Sequence, residues 1–149
     1  DVGANAKMNE FCAIMGLCNL KHIDEVIEER KKRYLYYMEQ LKKVTGICFF
    51  EKNSNASLNY SYFPIMIDSH YKMNRDELYD LLRENDIYAR KYFYPITADQ
   101  ACFRNKYRDD RLEVARKLSK NILIIPLFDT LELESIEKIV KIFVDTDGI

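Results

Sequence analysis

A charge excess of either sign is missing from this chain: 23 Lys and Arg stand against 24 Asp and Glu, a net charge of −1. Without a basic surplus there is no broad attraction to a phosphate backbone, which argues against charge-driven nucleic-acid binding. Histidine is scarce, with only His22 and His70, and the four cysteines (Cys12, Cys18, Cys48, Cys102) make no C-x-x-C pair. A zinc site or a disulfide framework is therefore not expected, and free thiols in a reducing cytoplasm are. The opening residues DVGANAKMNEF have neither a basic n-region nor an apolar h-region, so they do not read as a signal peptide. Without one, the sequons Asn55-Ala56-Ser57 and Asn59-Tyr60-Ser61 read as chance matches. No apolar run approaches the roughly 20 residues that span a bilayer, so no membrane contact is expected. Also absent are a G-x-G-x-x-G fingerprint, a Walker loop, H-E-x-x-H and a nucleophile elbow. No self-contained catalytic site is expected. The chain starts on Asp1, with a Gly3-Ala4-Asn5 turn leading into a helix, as a piece of a longer chain would.

What is present suits a globular fold. Apolar residues make up 48%, aromatics 13% and charged residues 32%, enough for a core under a solvated surface. Residues 6–20 read as a helix capped by Asn5, with Met8, Phe11, Cys12, Met15 and Cys18 on one stripe. Ala13, Ile14, Leu17 and Leu20 fill much of the rest, and a helix apolar on most sides is buried on most sides. A core helix and a helix pressed between a domain and a partner subunit fit this pattern equally. Gly16 inside it predicts a close backbone contact, since a helical Gly costs about 1 kcal/mol against Ala. Residues 21–44 continue as helix, with Leu20, Ile23, Ile27, Tyr34 and Leu41 at seam spacing. Acid-first pairs Glu28–Lys32 and Glu29–Arg33 make its basic run a solvated face. Gly46 stops it.

Ile47–Phe50 reads as a short strand and Tyr60–Ile67 as a half-buried one, with Phe63, Ile65 and Ile67 on one face. Pro64 suggests an edge position or a bulge there, because it cannot donate to a ladder. Asn74-Arg75-Asp76-Glu77 resembles a capping box and opens a helix whose apolar face is Leu78, Leu81 and Leu82. Asn85-Asp86 ends that helix, and Ile87–Ala89 reads as a short strand. Arg90–Arg108 is a long aromatic and basic loop, Asp110–Lys120 a helix, and Ile122–Ile125 a buried strand stopped by Pro126. Thr130 caps a last helix carrying Ile136, Ile139, Val140 and Phe143. The fold class this predicts is a small α/β (α+β) sandwich. It has three or four strands, mixed or antiparallel, and a long N-terminal helix, with helices mainly on one face.

Two places could hold chemistry. Gly3-Ala4-Asn5-Ala6-Lys7 puts free N–H groups, an amide and an ammonium at a helix start, a favourable place for an anion. An ordinary capped helix start is the plainer reading of the same residues. Tyr88-Ala89-Arg90-Lys91-Tyr92-Phe93-Tyr94-Pro95 offers rings to stack on a base and cations to pair with a diphosphate. An aromatic packing cluster with snorkelling cations fits it as well.

At these same places the sequence resembles the DegT/StrS-type sugar-nucleotide aminotransferases. The stretch Asn5-Ala6-Lys7-Met8-Asn9-Glu10 through Leu17 is similar to that family's G-x-N-x-[KR]-M-[NS]-E helix. Asn59–Ile65 resembles its small-domain strand, and Ile87–Pro95 its substrate loop. Leu112–Ala115 and Ile122–Leu127 resemble its closing helix and L-x-L-P-L strand. The chain departs from the pattern in three places. Lys91-Tyr92 stands where many relatives carry His-Tyr, Ile-Leu-Ile-Ile replaces L-x-L, and Arg111 rather than Pro precedes Leu112.

The resemblance implies the C-terminal part of a fold type I enzyme dependent on pyridoxal 5′-phosphate (PLP), working as a homodimer whose sites draw on both subunits. Residues 1–20 would be a remnant of the large PLP-binding domain and residues 21–149 the C-terminal small domain. Asn5 matches the Asn that binds the cofactor phosphate in the neighbouring subunit's site, and Lys7 a basic position near the entrance. Arg90, Tyr92 and Tyr94 match the loop lining the nucleotide-sugar site. The family reaction moves an amino group, usually from glutamate, to a keto sugar on a nucleoside diphosphate. The lysine that holds the cofactor lies upstream of these motifs in the family, so no catalytic residue is assigned here and the chain alone is expected to be inactive. The form of the loop favours the 4-amino-6-deoxy sugar transaminases. Alternatives are a sugar dehydratase of the same family, a regulatory relative, a stand-alone binding or dimerisation module, and a structural domain whose aromatics are all core.

Overall fold

The computed structural model describes residues 6–51, 54–103 and 110–148. Among these residues, five α-helices and a three-stranded sheet follow one another. Helices α1 (Glu10–Leu20) and α2 (Ile23–Leu41) lead into strands β1 (Ile47–Cys48) and β2 (Phe63–Ile67). Then come α3 (Arg75–Glu84), α4 (Glu113–Asn121), β3 (Ile122–Ile125) and α5 (Leu133–Asp147), with 3-10 turns at Thr97–Asp99 and Asp110–Leu112. The sheet is antiparallel in the order β1-β2-β3. The predicted α/β class stands, with an antiparallel sheet.

Period-two alternation sets the core. Phe63, Ile65 and Ile67 are buried while Pro64 and Met66 between them are only partly covered. These side chains form one cluster with Tyr37 and Leu41 of α2, Leu78 and Leu82 of α3, Leu123 and Ile125 of β3, and Ile136, Ile139 and Phe143 of α5. Three helices thus share the sheet face that the alternation marks. Phe63 is the hub: the rings of Tyr34 and Tyr37 lie 4.8 and 4.9 Å from it. Such pairs add about 0.5–1.5 kcal/mol each beyond burial.

Pro64 lies in the central strand, not on an edge, yet the reason for expecting an edge survives. It faces Ile124, whose own N–H and C=O bond Arg90 on the far side of β3 at 2.9 and 2.8 Å. Pro64 and Ile124 therefore form a non-hydrogen-bonded pair, and the imide nitrogen points towards β1. The pairing of β1 reaches only Met66 and Ile67, so no ladder bond is lost at Pro64.

The helix ends are set by local chemistry. The capping box of α3 is complete: Asn74 Oδ1 accepts from Glu77 N at 3.0 Å, and Glu77 Oε2 accepts from Asn74 N at 2.8 Å. Gly46 has φ +78°, and a Cβ there would come within 2.2 Å of the Tyr71 backbone nitrogen. That close approach explains why this stop is a glycine. Asp86, at φ +60°, closes α3.

Several expectations are corrected. The cap of α1 is Asn9, whose Oδ1 accepts from Cys12 N at 2.9 Å, so the helix starts at Glu10; Asn5 lies outside the described residues. Two asparagines precede this helix, and the side chain within reach of a free N–H three residues on decides between them. Among the described residues nothing lies within 4 Å of a Cβ at Gly16, so none of them makes the expected close backbone contact. No residue of α1 is buried, and Phe11 is 82% exposed, so α1 is not a core helix within this chain. Lys32 pairs with Glu29 at 2.6 Å rather than with Glu28, which takes Lys31 at 3.0 Å, while Glu29–Arg33 forms as expected at 2.7 Å. Thr130 does not cap α5. It sits in a turn closed by Leu131 N donating to Phe128 O at 3.3 Å, and the N-cap is Glu132, without a side-chain cap bond. Arg33 Nε holds that turn, donating to Leu131 O at 2.5 Å. Ile87–Ala89 is not a strand; only Arg90 bridges β3.

Candidate functional site: the 88–95 loop

The loop leaves α3 through Asp86 and is hung on β3 by one two-bond bridge, Arg90 to Ile124. Beyond it the chain turns through cis peptide bonds at Tyr92–Phe93 and Tyr94–Pro95, and Tyr94 N donates to Lys91 O at 3.0 Å. The backbone is thereby held to the sheet edge while its side chains point in two directions.

Arg90 and Tyr92 form one group. Arg90 Nη1 donates to the Tyr92 hydroxyl, and its guanidinium lies 5.5 Å from the Tyr92 ring. The Tyr92 ring stacks on Phe93 at 4.8 Å and meets Tyr62 edge-on at 5.7 Å. Arg90 is exposed, Phe93 is 76% exposed, and Tyr92 is half-buried. Beside this group a cleft of about 650 Å³ is lined by Tyr62, Tyr88, Arg90, Phe128, Ser135 and Lys138, among others. Rings, a guanidinium and an ammonium around open space suit a planar base and an anionic group.

Lys91 and Tyr94 form the second group and turn towards α3. Lys91 Nζ is 2.5 Å from Asp76 Oδ1 and 4.1 Å from the centre of the Tyr79 ring. The Arg75 guanidinium lies 5.0 Å from the Tyr94 ring. Asp76 is held below the usual carboxylate range, first by its bond to Lys91, with Arg75 adding to it. Tyr94 is 53% exposed, so a domain whose aromatics are all core is not what the fold contains.

Of the residues expected at a site, then, Arg90 and Tyr92 come together, and Tyr94 is turned to Arg75. Lys7 is exposed ahead of α1, and Asn5 is outside the described residues. Sequence reasoning missed Arg75, Asp76 and Tyr79 as partners of the loop. The signal for Arg75 and Asp76 was the capping box, read there only as a helix start.

Most of the described lysines are exposed. Among them only Lys31 and Lys91 are partly covered, and each sits against a carboxylate, Glu28 at 3.0 Å and Asp76 at 2.5 Å. A cofactor imine needs an unpaired, activated amine. No described helix is long and apolar enough to cross a membrane.

The profile of the DegT/DnrJ/EryC1/StrS aminotransferase family matches residues 1–144. The chain belongs to this family. Aminotransferases of the family depend on PLP. Over 142 residues the chain is 40% identical to a dTDP-4-amino-4,6-dideoxy-D-glucose transaminase of Escherichia coli, covering 94% of this chain and 38% of that protein. A transaminase of the same description from Shigella dysenteriae is 34% identical over 140 residues, again covering 94% of this chain and 38% of the relative. The chain thus spans 38% of the length of these curated relatives. Among solved structures, DesI in the presence of its TDP-sugar product superposes with a TM-score of 0.88 at 25% identity, over 98% of this chain and 38% of DesI. Helicobacter pylori PseC, at 19% identity and a TM-score of 0.85, shares the fold over 99% of this chain and 40% of its own.

Proposed function

We propose that this chain is the C-terminal part of a PLP-dependent aminotransferase that transfers an amino group, from glutamate, to a nucleoside-diphosphate-linked keto-deoxy sugar. The observation that carries this is the 40% identity over 94% of the chain to a dTDP-4-amino-4,6-dideoxy-D-glucose transaminase. It favours a dTDP-linked 4-keto-6-deoxy sugar as the acceptor. Residues 1–20 then belong to the large domain and 21–149 to the small domain. In support, α2 and α5 join the same core as the sheet, while α1 has no buried residue.

In this reading PLP serves as the electron sink for amino transfer, and the lysine that holds it belongs to the part of such an enzyme that this chain does not span, since the match covers 38% of the relative. The enzyme is a homodimer, with Asn5 serving the cofactor phosphate and Lys7 the site entrance. Arg90 and Tyr92 bind the substrate's anionic and planar parts, with Tyr94 held beside Arg75.

The test is spectroscopic. The whole polypeptide carrying this chain is purified with PLP, and its visible band is followed as glutamate is added. A band that glutamate bleaches, and that a dTDP-linked 4-keto-6-deoxy sugar restores, is the expected result. A polypeptide that binds no PLP, or whose band glutamate leaves unchanged, overturns the assignment and moves a dehydratase or a binding module forward.

A further inference from the structure

The first turn of α3 does more than start a helix. Arg75 is 2% exposed, and a buried guanidinium must be paired and fully hydrogen-bonded to be tolerated. Its Nη1 donates to Ser119 O at 2.9 Å and Ile122 O at 3.1 Å, at the joint of α4 and β3. Its Nε donates to Asp76 Oδ1 at 2.8 Å, and its face meets the Tyr94 ring. The same Asp76 oxygen takes the Lys91 ammonium. One buried cation and its neighbouring carboxylate therefore hold both Lys91 and Tyr94, on either side of Tyr92. By contrast the side chain of Arg90, the other loop cation, meets the hydroxyl and ring of Tyr92.

We propose that Arg75 and Asp76 are positioning residues for the nucleotide-sugar loop. They pin Lys91 and Tyr94 against α3 so that Arg90 and Tyr92, rather than Lys91 and Tyr94, are presented to the nucleoside diphosphate. The inference rests on the function proposed above. It excludes Lys91 as a direct diphosphate ligand, although Lys91 stands between Arg90 and Tyr92 in sequence. Its ammonium is committed to Asp76 and the Tyr79 ring, and a phosphate could take it only by breaking that pair. Preorganisation of this kind acts on binding, since a loop displaced by an ångström loses its contacts.

The test uses the whole PLP-loaded enzyme with Asp76→Asn, Lys91→Gln and the double variant. Amide hydrogen exchange over residues 88–95 reads the pin directly, whether or not the enzyme turns over. Faster exchange in both single variants, and no further gain in the double, is expected. With dTDP-4-amino-4,6-dideoxy-D-glucose as amino donor, KM rises about tenfold in each single variant and no further in the double, as a loosened loop predicts. The conversion of the cofactor band by glutamate stays at the wild-type rate in Asp76→Asn. Unchanged exchange in the single variants overturns the inference. So does a KM that rises in Lys91→Gln alone, which would make Lys91 a ligand. Faster exchange in both single variants of an enzyme whose wild type takes no amino sugar leaves the pin standing and sinks the function instead.

Discussion

Tyr37 and Tyr71 are both buried tyrosines in one core, and their hydroxyls fare differently. The Tyr71 hydroxyl donates to Phe143 O at 3.1 Å, tying the turn after β2 to α5. The Tyr37 hydroxyl has no partner among the described residues and is completely covered. A met hydrogen bond contributes about 1 kcal/mol, whereas a buried hydroxyl without a partner costs a comparable amount. Tyr71→Phe should therefore lower stability by about 1 kcal/mol, and Tyr37→Phe should leave it unchanged or raise it, as urea midpoints would show. A Tyr37→Phe loss as large as that of Tyr71→Phe would mean that the Tyr37 hydroxyl is bonded. The two also set an alkaline limit. Burial pushes the Tyr71 phenol up to about 12 and Tyr37 higher still. A raised folded value means that the folded state holds its proton longer than the unfolded one. Their contribution is thus complete below the ordinary phenol value of 10.0 and lost as pH rises from there towards 12. In Tyr71→Phe the fall in stability across that window should be shallower than in wild type.

At the scale of elements, α3 is where local sequence and tertiary role meet. Its capping box satisfies free N–H groups at the turn that carries Arg75 and Asp76. Asn74→Ala should cost about 1 kcal/mol of stability. It should also speed amide exchange in the 88–95 loop, because Lys91 and Tyr94 hang on that turn. A stability loss with the loop's exchange unchanged would separate the cap from the loop. The box was legible because its four residues are contiguous. The loop partnership was not, because Asp76 and Lys91 meet only once α3 and the sheet edge are packed.

At the scale of the molecule, α1 carries Phe11, Ile14, Met15, Leu17 and Leu20 in the open, each more than half exposed. Contiguous apolar surface of this kind drives association. The 149-residue chain on its own should self-associate, and light scattering should return to a monomer when Phe11 and Met15 are both changed to Glu. A clean monomer of the unsubstituted chain at high concentration would show that α1 folds back onto the rest.

What the amino-acid order determines by itself is everything governed by near neighbours. It sets the alternation that puts Phe63, Ile65 and Ile67 on one face, the box at Asn74 and the glycine at Gly46, all within a few residues of their cause. The family motifs are likewise contiguous runs. The tertiary structure alone decided that Pro64 could stand in a central strand, because only the pairing shows where β1 stops. It decided that Asn9 rather than Asn5 caps α1, and that a half-apolar loop divides into Arg90 and Tyr92, which meet each other, and Lys91 and Tyr94, which meet α3. It buried Arg75, a residue whose type predicts exposure, because carbonyls 44 and 47 positions away supply its partners. Such choices depend on which distant groups can satisfy a charge or a donor, and no local spacing carries that information.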